Sequence, residues 1–550
     1  MLWKKETNRN DPIYVDIFAL NGGLASLGIV PHHARCEDTD TTFNKNDAVS
    51  LQKRNEGNEH FKQGKLLHAI EFYGESLCYA ENGSKNISLA YANRSTCFLK
   101  LKRYEECLTD IEMAKQAGYP ADLMPKLERR KEECLKGIGE GEKSMQFESK
   151  LSFEPDKYFP CLANVLEIDV DDDGDLAIFA KEDIDVGQIV AVEKMFMGYI
   201  YSWHGLACNI CLKTNANLMP CMKCNVAMFC SEECQAHQLH KFECGLKACK
   251  CDLTNNNIMR VVRSFLLIVD SFESADELMT FVEQAISSDR NQMPSNLSDA
   301  KSQYEAFLKL PIGSQSSLPK DVLCIIFEAH KLLFSIPKIH SMFTAEKHRR
   351  FLMHLMSHHY QILDLNSIVH SLKLCSDDQD EETSNGNGHD SVKWASSQIG
   401  MVSRYVKNSC APNVHETTSN GNTVIVTVRP IKKGQQLSNA LLLQLLTQSK
   451  KERKQVLWRE RKMKCKCVRC KGLIASTVQR EIILADPDFQ FISSDWSDDS
   501  SEGFDVAIQA RFEKCKSLLR RYGQFPWCEE FGEIVELFIR LICIQQQQKS

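Results

Sequence analysis

The sequence predicts an α+β protein. A mixed-β domain is interrupted by a metal-binding module and a helical insert, and is flanked by N-terminal helical repeats and a C-terminal helical segment. Three observations predict it. Residues 49–138 follow a helical period and repeat themselves. Short β-type runs bounded by turn residues lie on both sides of the chain's middle, at Leu166–Val170, Leu176–Phe179, Ile189–Val192 and Thr423–Val428. Between them, Cys208–Cys244 carries paired cysteines at metal-ligand spacing.

A chain of 550 residues is long enough for about three or four domains. With 43% hydrophobic and 25% charged residues it reads as globular. A formal net charge of −6 argues against general affinity for phosphate backbones, so no direct nucleic-acid partner is expected. The N-terminus lacks the apolar core of a signal peptide. No apolar run approaches the ~18 residues of a membrane span, so no membrane partner is expected either. Many of the 24 cysteines, such as Cys78, Cys97 and Cys107, fall outside metal spacings. That usage suits a reducing compartment, the cytoplasm or nucleus.

Residues 1–48 are a polar extension of weak periodicity. In the repeat region, Gly57, Phe61, Ala69, Tyr73 and Ser76 recur as Ser95, Leu99, Cys107, Ile111 and Ala114. Small residues stand where two antiparallel helices touch, and large ones fill the groove beside them. A third, incomplete unit lies near Leu123–Leu135. Stacked pairs bury a continuous core that one pair cannot. The pattern resembles tetratricopeptide repeats. That resemblance implies a carboxylate clamp at Arg54, Asn58, Asn93, Lys126 and Arg130, with Arg54 where lysine is usual. Such side chains converge on a terminal carboxylate through charge-assisted hydrogen bonds. The implied ligand is the acidic C-terminal tail of heat-shock chaperones. Residues 139–160 read as a charged linker ending at Pro160.

The segment 208–244 contains Cys208-x₂-Cys211, Cys221-x₂-Cys224, Cys230-x₃-Cys234 and His240-x₃-Cys244. Eight thiolate and imidazole ligands make two tetrahedral zinc sites. So short a segment has little apolar surface, and metal binding supplies most of its folding free energy. The ligand order resembles the MYND zinc finger, a protein-binding module. The resemblance implies interleaved sites: Cys208, Cys211, Cys230 and Cys234 on one zinc, Cys221, Cys224, His240 and Cys244 on the other. The gap after Cys234 is shorter than the family's, so His237 competes with His240 as the eighth ligand. The closing His-Lys-x-x-Cys favours His240.

Residues 161–207, with the acidic turn Asp171–Gly174 and the turn Asp185–Gly187, resemble the first part of a SET domain. This is the fold of protein lysine methyltransferases. In the SET and MYND family the finger interrupts that domain here. Residues 252–392 read as a mostly helical insert, with a low-complexity loop at Gln379–Asp390. The second SET part spans 393–445, where Asn408-Ser-Cys410-Ala-Pro-Asn413 resembles the family's Asn-His-Ser-Cys-x-Pro-Asn turn. The post-SET segment 446–474 holds a basic helix and then Cys465-x-Cys467-x₂-Cys470. Three cysteines need a fourth ligand, and the resemblance supplies Cys410, making about three zinc ions per chain. Residues 475–550 carry the amphipathic stretches Asp505–Tyr522 and Glu529–Gln545. The branch resembled is the one with N-terminal tetratricopeptide repeats.

The resemblance implies methyl transfer from S-adenosylmethionine to a lysine of a protein substrate, histone or non-histone, with Asn408 and Ser409 at the cofactor. Such transfer needs head-on alignment of cofactor and lysine, loss of the lysine proton, and a cradle where backbone comes close, which favours glycine. SET enzymes use Gly-x-Gly, an Asn-His pair and a tyrosine. Here those positions hold Asp175-Leu-Ala177, Lys407-Asn408 and Leu441, and a further aromatic position falls near Arg461. Leucine has neither a hydroxyl to orient an amine nor an acceptor for its proton, so no catalytic residue is assigned. Loss of one such group costs ~10²–10³ in rate. The sequence therefore carries two functional readings: a lysine methyltransferase with degraded motifs, and a catalytically weak or inactive scaffold that binds partners through finger and repeats.

Overall fold

The computed structural model describes residues 44–140, 150–201, 207–214, 217–246, 253–289, 297, 299–312, 320–375, 391–461, 464–494 and 504–547. The extension up to residue 43 and the low-complexity loop at 379–390 lie outside the described residues.

Helices α1 (Asp47–Lys62), α2 (Leu66–Tyr79), α3 (Lys85–Lys100), α4 (Tyr104–Gln116) and α5 (Met124–Glu140) come first. Strands β1 (Leu166–Val170), β2 (Leu176–Ala180), β3 (Ile189–Lys194) and β4 (Met197–Ile200) follow. The cysteine-rich segment holds β5 (Met219–Pro220), β6 (Met228–Phe229), α6 (Glu232–Gln235) and α7 (Gln238–Glu243). The insert is helical in α8 (Leu253–Leu266), α9 (Ala275–Ser287), α10 (Ala300–Leu308), α11 (Lys320–Phe334), α12 (Pro337–Met342) and α13 (Glu346–Asn366). Then come β7 (Ile368–Cys375), β8 (Ser391–Ile399), β9 (Lys407–Asn408), β10 (Val414–Ser419), β11 (Asn422–Thr427) and β12 (Ser438–Asn439). The chain ends in α14 (Lys450–Arg461), α15 (Val468–Lys471), α16 (Thr477–Leu484), α17 (Pro487–Ser493), α18 (Phe504–Tyr522) and α19 (Glu529–Gln547).

These elements form two compact units. One draws on residues 1–141 and 196–399, the other on 142–195 and 400–550. In the first unit, α1–α4 make two antiparallel pairs. Asn46 caps α1, its Oδ1 accepting from Ala48 N at 2.9 Å and Val49 N at 3.1 Å. Gly57 is required where α1 crosses α2, because a Cβ there would lie 2.7 Å from the Tyr73 ring. Ala69, Tyr73, Cys107, Ile111 and Ala114 are buried, as the repeat predicts. The third unit is the single helix α5. Its Gly137 lies against Tyr104, where a Cβ would come within 2.3 Å of the ring. The insert is helical only as far as Asn366. The segments 368–375 and 391–399 are strands, forming the antiparallel order β4-β8-β7. Within the insert, His359 is buried between Ser264 Oγ at 2.8 Å and Tyr304 Oη at 2.9 Å.

In the second unit, β1 and β2 form a hairpin across the acidic turn, where Gly174 takes φ +83°. Asp171 Oδ1 accepts from the amides of Asp173 and Asp175, each at 3.0 Å, which fixes the turn. Strands β10, β11 and β3 form an antiparallel sheet, and β9 pairs with β12 in parallel. Glu193 on β3 is buried, and its carboxylate accepts from the amides of Met401, Val402 and Ser403 at 2.6, 2.7 and 2.8 Å. Val424 and Val426 share an apolar core with Leu518, Phe531, Ile534 and Phe538 of α18 and α19.

Candidate metal centres and reactive centre

Three groups of four ligand atoms each lie within 4.8 Å of one another: Cys208, Cys211, Cys230 and Cys234; Cys221, Cys224, His240 and Cys244; Cys410, Cys465, Cys467 and Cys470. Sulfurs bound tetrahedrally at about 2.3 Å from zinc sit about 3.8 Å apart. The observed separations match: Cys230–Cys234 is 3.8 Å, Cys221–Cys244 3.9 Å and Cys410–Cys470 3.7 Å. The residues present fit zinc in number, donor type and spacing.

The eighth finger position goes to His240. Its Nε2 lies 3.1 Å from Cys221 Sγ and 4.0 Å from Cys224 Sγ, and its ring meets Phe229 edge-on at 4.7 Å. His237 instead caps α7, its Nδ1 accepting from Leu239 N at 3.2 Å. Hydrogen bonds from Cys224 and then His240 lower the Cys221 thiol against the effect of burial. The amides of Lys223 and Cys224 also point at Cys221 Sγ, at 3.3 and 3.4 Å.

The third group depends on a residue that spacing does not single out. Arg469, buried within Cys467-x₂-Cys470, donates to the carbonyls of Cys410 at 2.9 Å, Leu445 at 2.7 Å and Gln448 at 2.9 Å. It ties the post-SET cysteines to the turn that carries Cys410. A lone arginine between cysteines gives only a faint signal, because its acceptors are backbone atoms 21 to 59 residues away.

Of the positions expected at the reactive centre, 175 and 407 meet. Lys407 Nζ lies 3.0 Å from Asp171 Oδ2 and 3.1 Å from Asp175 Oδ2. Asn408 pairs in register with Asn439, and the Ser409 amide donates to Asn439 O at 2.8 Å. Asn413 latches the turn, Nδ2 donating to Gln436 O at 2.9 Å and Oδ1 accepting from Ser438 N at 2.7 Å. Leu441 is half-buried against Cys410, Leu445 and Leu457. Arg461 closes α14, and its side chain lies outside the described residues. For S-adenosylmethionine, Lys407 is not a free cation, because Asp171 and Asp175 already hold it. The side-chain-free cradle is not reproduced, because Asp175 and Ala177 both carry a Cβ.

In the repeats, Asn58 Oδ1 accepts from Asn93 Nδ2 and from Tyr73 Oη, both at 2.9 Å. Arg54 Nε is buried without a partner among the described residues. Lys126 is exposed. Arg130 is engaged elsewhere, its Nη1 donating to Ala92 O at 2.7 Å and Ser95 Oγ at 2.6 Å. The structure thus joins Asn58 to Asn93 directly and turns Arg130 onto α3.

A zinc-binding finger inserted in the sequence of a split β-domain with a cysteine-stapled end defines a SET-type protein that carries a metal-binding insert. The comparisons agree. The MYND finger family model matches residues 208–244, and the SET domain model matches residues 270–440. The chain thus carries matches to both a MYND finger and a SET domain. It is 26% identical to the mouse "Protein-lysine N-methyltransferase SMYD4" over 347 residues, 49% of this chain and 43% of that protein. It is 24% identical to the mouse "Histone-lysine N-methyltransferase SMYD3" over 274 residues, 48% of this chain and 52% of that protein. It is also 39% identical over 61 residues to a "DnaJ homolog subfamily C member 7 homolog" of Schizosaccharomyces pombe, 11% of this chain and 13% of that protein. The chain spans less than half the length of the SMYD4 proteins it matches, from 30% to 43%. No helix among the described residues is long and apolar enough to cross a membrane.

Proposed function

We propose that this chain is a SET and MYND protein of the lysine methyltransferase class, with S-adenosylmethionine as methyl donor and a lysine of a partner protein as acceptor. The names of its relatives support the reading. The observation that carries it is that Asp175 meets Lys407 across the sequence, while the neighbouring Asn408 pairs in register with Asn439, two residues before Leu441. A second reading is favoured by the same residues. Lys407 is held by two aspartates where a cofactor-facing asparagine belongs, and Leu441 replaces the hydroxyl that would orient the amine. On that reading the chain is a catalytically weak or inactive scaffold that holds proteins. Calorimetric titration with S-adenosylmethionine separates the two. Binding in the micromolar range supports the enzyme, and the absence of both heat and thermal shift leaves the scaffold.

Under either reading the partners are proteins. The finger takes a peptide ligand. The polar face built by Arg54, Asn58, Asn93 and Lys126 takes an acidic C-terminal tail of chaperone type, a reading supported by the match to a DnaJ homolog. The many thiols outside the metal groups support a reducing compartment, the cytoplasm or nucleus.

A further inference from the structure

The finger and the helical repeats meet through a buried charge pair. Arg94 on α3 and Asp110 on α4 are 2% and 0% exposed and form a bidentate pair, Nε to Oδ2 at 2.7 Å and Nη2 to Oδ1 at 2.8 Å. The pair is completed from the finger. Leu218 O accepts from Arg94 Nη2 at 3.2 Å. Asn217 Nδ2 donates to Asp110 Oδ1 at 2.7 Å and to Glu106 O at 2.8 Å. Leu218, Met228 and Phe229 belong to the same apolar core as Leu67, Tyr91, Phe98 and Ile111. On the other flank, Lys45 donates to Cys78 O at 2.8 Å, and Asn225 Nδ2 of the finger donates to Asn44 O at 3.2 Å.

Asn217 and Leu218 immediately precede β5, and Cys221 follows it directly. The amide of Cys221 bonds to Ala227 O at 2.9 Å, so the hairpin and the second ligand group share one backbone. A segment this small keeps its shape only with metal bound. When metal leaves, the 217–220 segment no longer presents its donor and acceptor to the ion pair. A buried pair that loses its supporting hydrogen bonds is strongly destabilised, because neither charge can reach water. We propose that zinc at Cys221, Cys224, His240 and Cys244 holds α3 and α4 in place through Asn217 and Leu218, so that finger and repeats are one metal-dependent folding unit. Asn93 is the residue before Arg94 on α3. The acidic-tail site therefore inherits the same metal dependence, a consequence that rests on the tail reading above.

The test is hydrogen exchange on the zinc-loaded chain of 550 residues, followed over residues 85–116. Cys224→Ser should release one zinc and raise exchange in that segment at least tenfold. Asn217→Ala should raise it while all three zinc ions stay bound. Cys467→Ser removes the post-SET zinc and should leave the segment unchanged. Loss of the finger zinc with exchange as in the wild type overturns the proposal. So does an Asn217→Ala protein with unaltered exchange, which decides the matter if Cys224→Ser does not fold. Equal loosening by Cys467→Ser overturns it as well. A fluorescent peptide ending in acidic residues and a free carboxylate is added in parallel. If the wild type fails to bind it, the tail reading falls and the exchange result stands alone.

Discussion

Glu416 shows how a single residue departs from its surroundings. It sits on β10 with Oε1 buried and without a partner among the described residues. Burial, and then the nearby Glu193 carboxylate, push its carboxyl up to about 8, while a hydrogen bond with Asn439 opposes them. An acid raised in the folded state is neutral there and ionises only at cost. Stability is therefore full below the unfolded value of about 4.5, declines as pH rises from there to about 8, and is flat beyond. Glu416→Gln keeps the shape and removes the ionisation. Its stability should equal the wild type's near pH 5 and exceed it progressively towards pH 8, by about 1.4 kcal/mol for each further step of one in pH. Denaturant midpoints measured across that window check it, and a gap that stays constant with pH would show that the carboxyl ionises freely. No sequence signal marks Glu416, because its neighbours Glu193 and Asn439 are brought in by β3 and β12. The zinc ligands are the opposite case. Cys208 to Cys244 declare themselves because each pair of ligands is local, and only the choice between His237 and His240 needs the fold.

Elements with local partners are legible in the sequence and those with remote partners are not. The α1–α4 repeat can be read because its partners are local: Gly57 meets Tyr73 across neighbouring helices. Strand β7 merges with the helical insert in the sequence because its partner β8 lies beyond the low-complexity loop. Helices α16 and α17 are short and carry exposed apolar residues such as Val478 and Ile482, which blur their period. At the reactive centre, the substitutions at 175, 407 and 441 are readable one at a time. Their compensation is not, since Lys407 reaches Asp175 across 232 residues. The repeat helices carry the tail prediction. Asn58 and Asn93 are joined directly, whereas Arg130 braces α3. Asn58→Ala with Lys126→Ala should weaken an acidic-tail peptide at least tenfold in fluorescence polarisation. Loss of the Tyr73 and Asn93 bonds to Asn58 costs only about 1 kcal/mol each, so the repeats should stay folded. Equal binding by the double variant would refute the clamp.

At the scale of the molecule, metal is distributed between the two compact units. Eight ligands, in two groups, belong to the unit that holds the repeats and the insert, and four belong to the unit that holds β1–β3 and the C-terminal helices. Each group gathers four ligands from short segments, so each unit draws part of its stability from its own zinc. Elemental analysis should find about three zinc ions per chain. Cys467→Ser should leave about two and lower the thermal stability of the second unit, followed through the apolar core of Trp527 and Phe531, which Arg469 overlies at 5.4 Å from the Trp527 ring. The repeats should melt as before, because their metal lies in the finger. One zinc or none in the wild type would remove the basis for all three sites. A Cys467→Ser protein that still bound three would detach Cys410 and the post-SET cysteines from metal and leave Arg469 alone to hold that end of the SET core.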